Sequence, residues 1–299
     1  MQPFVPYSLN LGGRLLNIDR PWVMGIVNAT PDSFYASSRC LDDAGLTTVV
    51  RGMVADGVDV IDLGACSTRP GATVPDAATE MSRLRLALTV ARREAPDTPL
   101  SVDTFRADVA RMAVEEFGPV IINDISGGTL DPDMVATVAR LSVPYVTMHM
   151  RGTPATMQEL TQYDNVVAEV LETLARQVDS LHQAGVNDVL ADPGFGFAKT
   201  IDQNYALLAA LPVFHHLDVP LLVGLSRKRM VQQALDCDAD HALNGSVVLA
   251  TAAMLAGVHV VRTHDVRPTV EACRLVSRLR AAQPQDAPPY RPTNQSVAL

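Results

Sequence analysis

Eight short aliphatic and β-branched runs recur along this chain, each followed by a longer stretch of helical period, and that alternation limits the possible folds more than any other feature. The runs are Val23 to Val27, Val58 to Leu63, Leu100 to Val102, Val120 to Ile122, Tyr145 to Met148, Val189 to Ala191, Leu221 to Leu225 and His259 to Arg262. Most are continuously apolar, as strands covered on both faces must be. Strands that alternate with helices pair in parallel, because each crossover returns the chain to the same end of the sheet. Eight units predict an α/β fold, a (β/α)8 TIM barrel, and 299 residues fit one such domain.

The intervening segments carry their apolar residues at helical spacing. Met81, Leu84, Leu88 and Ala91 form one stripe, and Val167, Val170, Leu171, Leu174, Val178 and Leu181 another. Gly185 is placed to end the second of these helices and Pro268 to open the last. The segment Leu9 to Ile18, with Gly12 and Gly13 between two apolar runs, predicts a β-hairpin that could plug the barrel floor. From Ala281 onward Pro, Gln, Ala and Ser predominate, which predicts a flexible tail over 281–299 behind a single barrel over 1–280.

Hydrophobic residues make up 47% of the chain and charged ones 19%, enough apolar material for a large core. A formal net charge of −9 argues against a general nucleic-acid or membrane-surface binder, since both need a positive field. The longest apolar stretch, Val247 to Val261, is too short to span a bilayer and is interrupted by Gly257 and His259. Cys40, Cys66, Cys237 and Cys273 are widely spaced, with no Cys-x-x-Cys pair, and no secretory leader is evident, so a cytoplasmic protein with reduced thiols is expected.

Polar residues stand at or just after the carboxyl end of every run: Asn28, Asp62, Asp103, Asn123 with Asp124, His149, Asp192, Ser226 and His264. In a barrel these positions converge on one mouth, where such residues serve function rather than stability. Individually several have plainer explanations. Asp103 with Thr104, or Ser226, suits a helix cap; His149 suits a satisfied core histidine; Asp192 opens an ordinary Asp-Pro-Gly turn.

The motifs around these positions carry a resemblance. Met24-Gly-Ile-Val-Asn-Ala-Thr-Pro-Asp-Ser-Phe34, Ser67-Thr-Arg-Pro-Gly-Ala72, Ser101-Val-Asp-Thr104, Asn123-Asp-Ile125, His149-Met150 with Thr156-Met-Gln158, Asp192-Pro-Gly-Phe-Gly-Phe197, Ser226-Arg-Lys228 and Arg262-Thr-His-Asp-Val266 follow in order. Together, from about Leu9 to Arg280, the chain resembles the dihydropteroate synthases. The resemblance implies condensation of 6-hydroxymethyl-7,8-dihydropterin pyrophosphate with p-aminobenzoate, giving 7,8-dihydropteroate and pyrophosphate. It also implies Mg2+, with Asn28 as its ligand, and a homodimer for which Val247 to Ala256 is a candidate interface helix.

A pterin presents an edge of N–H donors beside ring acceptors, to which Asp103, Asn123 and Asp192 are suited. By resemblance Lys228 reaches the ring acceptors and lines the aminobenzoate pocket, with Phe197 as its aromatic wall. Arg262 and His264 resemble the family's anion-binding pair; at spacing two on one strand their side chains share a side. Two βα loops, carrying Phe34 and then Thr68 with Arg69, are expected to exclude water. Departure of pyrophosphate, then capture of a methylene cation by the arylamine, needs no protein nucleophile, and no Gly-x-Ser-x-Gly elbow is present.

Two departures from the family pattern stand out. Phe34 is followed by Tyr35, Ala36, Ser37, Ser38 and Arg39 rather than by Asp-Gly-Gly, so the first loop should close differently. Ala65 and Cys66 replace a frequent Gly-Glu, which raises the hypothesis of a reactive thiol beside basic groups, against burial as a small apolar residue. The alternatives are a pterin-binding methyltransferase, which shares the pterin contacts but releases no pyrophosphate, and a catalytically silent pterin-binding paralogue.

Overall fold

Parallel pairing runs around the molecule until the sheet meets itself. The computed structural model describes residues 1–30, 42–66 and 74–282. Its barrel strands are β3 (Trp22–Asn28), β4 (Val60–Gly64), β5 (Leu100–Asp103), β6 (Ile121–Asp124), β7 (Tyr145–Met148), β8 (Val189–Asp192), β9 (Leu222–Gly224) and β10 (Val260–Thr263). They form an eight-stranded sheet in the order β8-β7-β6-β5-β4-β3-β10-β9, and a parallel bridge from Ala191 to Leu221 joins the two ends. The predicted strands all form, with boundaries shifted by a residue or two, and the TIM barrel is the observed fold.

Helices α1 (Asp43–Asp56), α2 (Ala77–Glu94), α3 (Ala107–Phe117), α4 (Met134–Leu141), α5 (Val166–Gln183), α6 (Ile201–Ala209), α7 (Arg229–Ala234), α8 (Leu243–Leu255) and α9 (Val266–Ala281) surround the sheet. Their predicted stripes are the buried faces: Leu84, Leu88 and Ala91 on α2, and Val170, Leu174, Val178 and Leu181 on α5. Gly185 follows α5 at φ +91° and Pro268 lies in the first turn of α9. That last helix ends at Ala281, one residue inside the segment read as tail; residues 283–299 lie outside the described residues.

The hairpin is β1 (Tyr7–Leu11) and β2 (Arg14–Ile18), antiparallel, with Leu11 facing Arg14 across Gly12 and Gly13. Both glycines have positive φ, +60° and +90°, as a two-residue hairpin turn requires. A Cβ on Gly12 would also lie 2.1 Å from Pro119 Cγ. The hairpin does plug the floor: Leu9, Leu11, Leu16 and Ile18 pack with Trp22, Met24, Val60, Ile121, Val146, Leu190, Leu222 and Val260 in one apolar cluster.

Those floor residues set the parity of the strands they lie on, and pairing carries it to β5, where Asp103 stands in register with Asn123. Successive side chains alternate between the barrel axis and the helix layer, so the residue two beyond a floor residue also faces inward, nearer the mouth. This places Asn28, Asp62, Asp103, Asn123, Asp192 and Arg262 on the axis side. Asp124, one step out of phase, faces the helices and is consumed there by Tyr145 Oη at 2.6 Å and the Ser126 N–H at 2.7 Å.

At the opposite end of the barrel, fully buried His259 latches the amino-terminal segment. Its Nδ1 accepts from the Leu221 N–H at 2.9 Å, which leaves Nε2–H to donate to Val5 O at 3.0 Å. Burial pushes the imidazole down to about 4, so between that value and 6.5 the unfolded chain binds the extra proton and stability falls as pH falls. Wild type should therefore lose about 2 kcal/mol more than His259→Asn between pH 7 and pH 5. Urea midpoints at the two pH values measure it, and equal losses would contradict the neutral latch.

Candidate active site

Among the inward polar residues, Arg262 is the hub. Its Nε donates to Asp62 Oδ2 at 2.6 Å and its Nη2 to Asp103 Oδ2 at 2.7 Å, tying β10 to β4 and β5 across the mouth. Asn123 Nδ2 from β6 donates to the same Asp62 oxygen at 3.3 Å. Arg262 Nη1 makes no hydrogen bond among the described residues, so two N–H donors remain for an incoming anion. Burial disfavours the guanidinium charge, but the two carboxylates outweigh that and hold its pKa above the ordinary arginine value.

The carboxylates respond in kind. Burial pushes Asp103 up to about 7 against the opposing pull of Arg262, with Asp62, Glu80 and Asp124 adding repulsion. Asp62 is wholly buried and its Oδ1 has no hydrogen-bond partner among the described residues. This residue belongs to the site, although the sequence reading placed it only among the strand ends; its phase, two beyond Val60 of the floor, was the available signal.

Across the mouth, Asp192 and Lys228 form the second charged pair of the site. Burial raises the Asp192 pKa, while Lys228, Lys199 and Arg262 and the Gly194 N–H at 2.7 Å oppose it. Lys228 is pushed down to about 8 by burial, with Asp192 pulling the other way. Its Nζ donates to Phe195 O and sits 4.9 Å from the Phe197 ring centre, a cation–π distance. Gly196 and Gly224 keep space around that amine: a Cβ at either would come within 4 Å of it.

Lys228 is positioned by its neighbours. Arg227, at φ +55°, buries its guanidinium against Asp265, at 2.9 and 2.7 Å, and its N–H donates to Ser246 Oγ at 2.9 Å. The pair ties the segment after β9 to the start of α9. Ser226 does not cap a helix, since α7 begins only at Arg229; its Oγ lies 3.1 Å from His264 Nδ1 and accepts the His264 N–H at 3.2 Å. His264 thus stands beside the mouth one residue beyond the end of β10, rather than on the strand with Arg262 as its spacing suggested.

Two strand-end candidates lie elsewhere. Asp124 faces the helix layer, and His149 is buried with Nδ1 2.9 Å from Lys199 Nζ, the satisfied core histidine rather than a mouth ligand. Asp103 caps no helix: the Ala107 N–H that opens α3 is taken by Asp131. Phe34, Thr68 and Arg69 lie outside the described residues.

Cys66 is not an activated thiol. Burial, Glu80 and Asp103 push it up to about 12, overriding Arg106 and Arg83. The basic groups anticipated near it are present, but Arg106 is occupied by Glu80, which is itself fully buried.

The donor set limits the metal that could bind. Among the described residues no group of three or more His, Cys, Asp or Glu side chains is placed to hold an ion. Asn28 at the end of β3 offers one amide oxygen, which fits a Mg2+ that receives its other ligands from phosphate oxygens and water.

Comparison with known proteins agrees with this geometry. A family model described as pterin binding enzyme matches residues 24–264. The dihydropteroate synthase of Escherichia coli K12 is 40% identical over 275 residues, covering 91% of this chain and 96% of the relative. The structure of Yersinia pestis dihydropteroate synthase with a sulfonamide drug complex superposes with a TM-score of 0.87 at 37% identity, covering 92% of this chain and all of the other. That of the Xanthomonas albilineans enzyme with 4-aminobenzoic acid gives 0.85 at 37% identity, covering 93% and 100%.

Removing the shared guanidinium should leave two buried carboxylates facing each other. Arg262→Met is expected to cost roughly 3 kcal/mol of folding stability at pH 8. The gap to wild type should narrow towards pH 6, as Asp103, raised further without its cation, takes up a proton. Denaturation at both pH values reads it; a gap that stays constant would show that the pair is not electrostatically coupled to Arg262.

Proposed function

The chain belongs to the dihydropteroate synthase family of pterin-binding enzymes, and from that premise we propose how its mouth performs the reaction. The substrates are 6-hydroxymethyl-7,8-dihydropterin pyrophosphate and p-aminobenzoate, and the products are 7,8-dihydropteroate and pyrophosphate. The bond between the pterin methylene carbon and the pyrophosphate oxygen breaks; a new one forms between that carbon and the arylamine nitrogen, which loses a proton.

The observation that carries the assignment of roles is the set of buried and half-buried polar groups gathered at the barrel mouth, Asp62, Asp103, Asn123, Asp192, Lys228 and Arg262. A flat heterocycle with alternating donors and acceptors satisfies such groups better than water does in a partly dry mouth. Asp103, Asn123 and Asp192 accept from and donate to the pterin edge, and Lys228 donates to its ring acceptors. The aminobenzoate ring lies against Phe197 and the stem of Lys228.

The leaving pyrophosphate takes the donors that remain on Arg262 Nη1, with His264 beside it, and these strengthen as negative charge develops on the oxygen. Asn28 would hold Mg2+ against the phosphate oxygens, where the ion would neutralise part of the leaving group's charge. Phe34, Thr68 and Arg69 complete the aminobenzoate side by resemblance to the family. No protein nucleophile takes part; the residues orient the substrates and stabilise charge.

A homodimer fits the exposed Val248 on α8 and Leu275 and Leu279 on α9, large apolar side chains on two helices that pack together. Light scattering at micromolar concentration should give twice the monomer mass. Among the described residues no helix is long and apolar enough to cross a membrane.

Purified protein with Mg2+ and both substrates should release pyrophosphate only when p-aminobenzoate is present. Lys228→Ala and Arg262→Ala should each lower kcat/KM by about 100-fold or more. A wild type that binds the pterin and releases nothing would favour the silent paralogue, and methyl transfer without pyrophosphate release the methyltransferase.

The pH profile of kcat/KM should be bell-shaped. Activity should rise as Asp103 ionises near 7 and fall as Lys228 loses its proton above about 8, the apparent values belonging to the coupled set. A profile flat from pH 6 to 9 would remove both groups from the rate-determining interactions.

A further inference from the structure

The stretch between Asp192 and α6 is held by an amine that none of the reaction's steps uses. Lys199 is 4% exposed, and its Nζ lies 2.9 Å from Gly194 O, 3.0 Å from Phe197 O and 2.9 Å from His149 Nδ1. These three acceptors match the three hydrogens of an ammonium, and His149 O lies beside them as a longer fourth contact at 3.4 Å. The match survives if burial strips the proton, because the amine then donates to the two carbonyls and accepts from the imidazole N–H.

The carbonyls so gripped belong to the turn that forms the aminobenzoate side of the mouth. Gly194 packs its α-carbon against His149 so closely that a Cβ there would lie 2.1 Å from His149 O. Gly196 N–H donates to Asn204 Oδ1 at 2.6 Å, Phe195 O receives Lys228 Nζ, and the Phe197 ring faces that same amine. From Lys199 two short paths thus lead to Lys228, one through the Gly194–Phe195 peptide and one through the Phe197 backbone. Of the groups assigned to the pterin, Asp103 and Asn123 stand on β5 and β6, outside this turn, so pterin binding keeps contacts independent of it even though Asp192 opens the turn and Lys228 serves both substrates.

We propose that Lys199 is a positioning residue that sets the Phe195 carbonyl and the Phe197 ring, and through them Lys228, for the arylamine substrate. This rests on the synthase reading above. The amine touches no substrate; it replaces the counter-ion or water that a turn of this shape would need to satisfy inward-pointing carbonyls. A buried amine placed on backbone oxygens couples the end of β7, through His149, to the wall of the second substrate's pocket.

The test compares Lys199→Met with Tyr163→Phe. The second variant removes another bond to the same segment, Tyr163 Oη to Ala198 O at 2.9 Å, and leaves the amine in place. In Lys199→Met, KM for p-aminobenzoate should rise about tenfold or more, while the Kd for the dihydropterin pyrophosphate, measured by calorimetry, stays within about threefold. Tyr163→Phe should move neither.

An unchanged KM in folded Lys199→Met would overturn the proposal, as would equal losses for both substrates or a matching rise in Tyr163→Phe. If Lys199→Met does not fold, His149→Leu removes one acceptor of the same amine and should show the same split at smaller amplitude; its absence there is equally decisive. An inactive wild type would instead sink the synthase reading, so the two failures are distinguishable.

Discussion

Inside a closed parallel barrel the strands share one axis and their side chains alternate about it, so a single choice of phase decides what faces the interior along the whole strand. Here the floor makes that choice. Met24, Val60, Ile121, Val146, Leu190, Leu222 and Val260 face inward against the hairpin, and burying them fixes the phase of their seven strands, with β5 held in phase by its pairing to β4 and β6. Two residues farther on, the same phase delivers Asp62, Asn123, Asp192 and Arg262 to the mouth. The apolar floor and the polar site are therefore one constraint expressed at two heights of the barrel.

Concentrating charge in that space has an electrostatic cost, and the site is arranged around how the cost is met. Arg262 is shared by Asp62 and Asp103, while Asp192 faces Lys228, so that each cation answers a carboxylate on a different strand. The compensation is incomplete: Asp103 is raised, Lys228 is lowered, and an Asp62 oxygen has no hydrogen-bond partner among the described residues. Groups left in that condition gain from a ligand that supplies matching donors and acceptors, which is how a flat pterin and a polyanionic leaving group can be bound in one opening. The outer charges serve rigidity instead. Arg227 on Asp265 and Arg106 on Glu80 are ion pairs behind the mouth that hold the backbone on which the inner groups stand.

Particular residues show how far the chain could be read in advance. The barrel strands, the plugging hairpin and the stripes of α2 and α5 were legible because each rests on local periodicity or on a two-glycine turn, both properties of neighbouring residues. Asp103, Asn123 and Asp192 were legible because strand ends converge in this fold, whereas Lys228 and Arg262 came from the resemblance of the Ser226-Arg-Lys228 and Arg262-Thr-His-Asp-Val266 motifs to a known family. Asp124 and His149 satisfied the same rule of position and yet lie outside the mouth, since one is out of phase with its strand's floor residue and the other is drawn to Lys199. Cys66 was weighed as a reactive thiol beside basic groups against burial as a small apolar residue, and burial, reinforced by Glu80 and Asp103, pushes the thiol up despite Arg106 and Arg83.

The amino-acid sequence by itself determined the number and order of the βα units, because these depend on spacing along the chain, and its motifs carried, through resemblance to a known family, the groups that could bind a pterin and an anion. Only the tertiary structure decided which carboxylates share Arg262, that Asp62 joins the site, and that Lys199 takes its acceptors from β7 and the turn after β8. Those outcomes depend on distances between strands far apart in sequence. A hydrogen bond or a desolvated charge is set by what packs against it in space, and closure of the barrel is the step that brings those groups together.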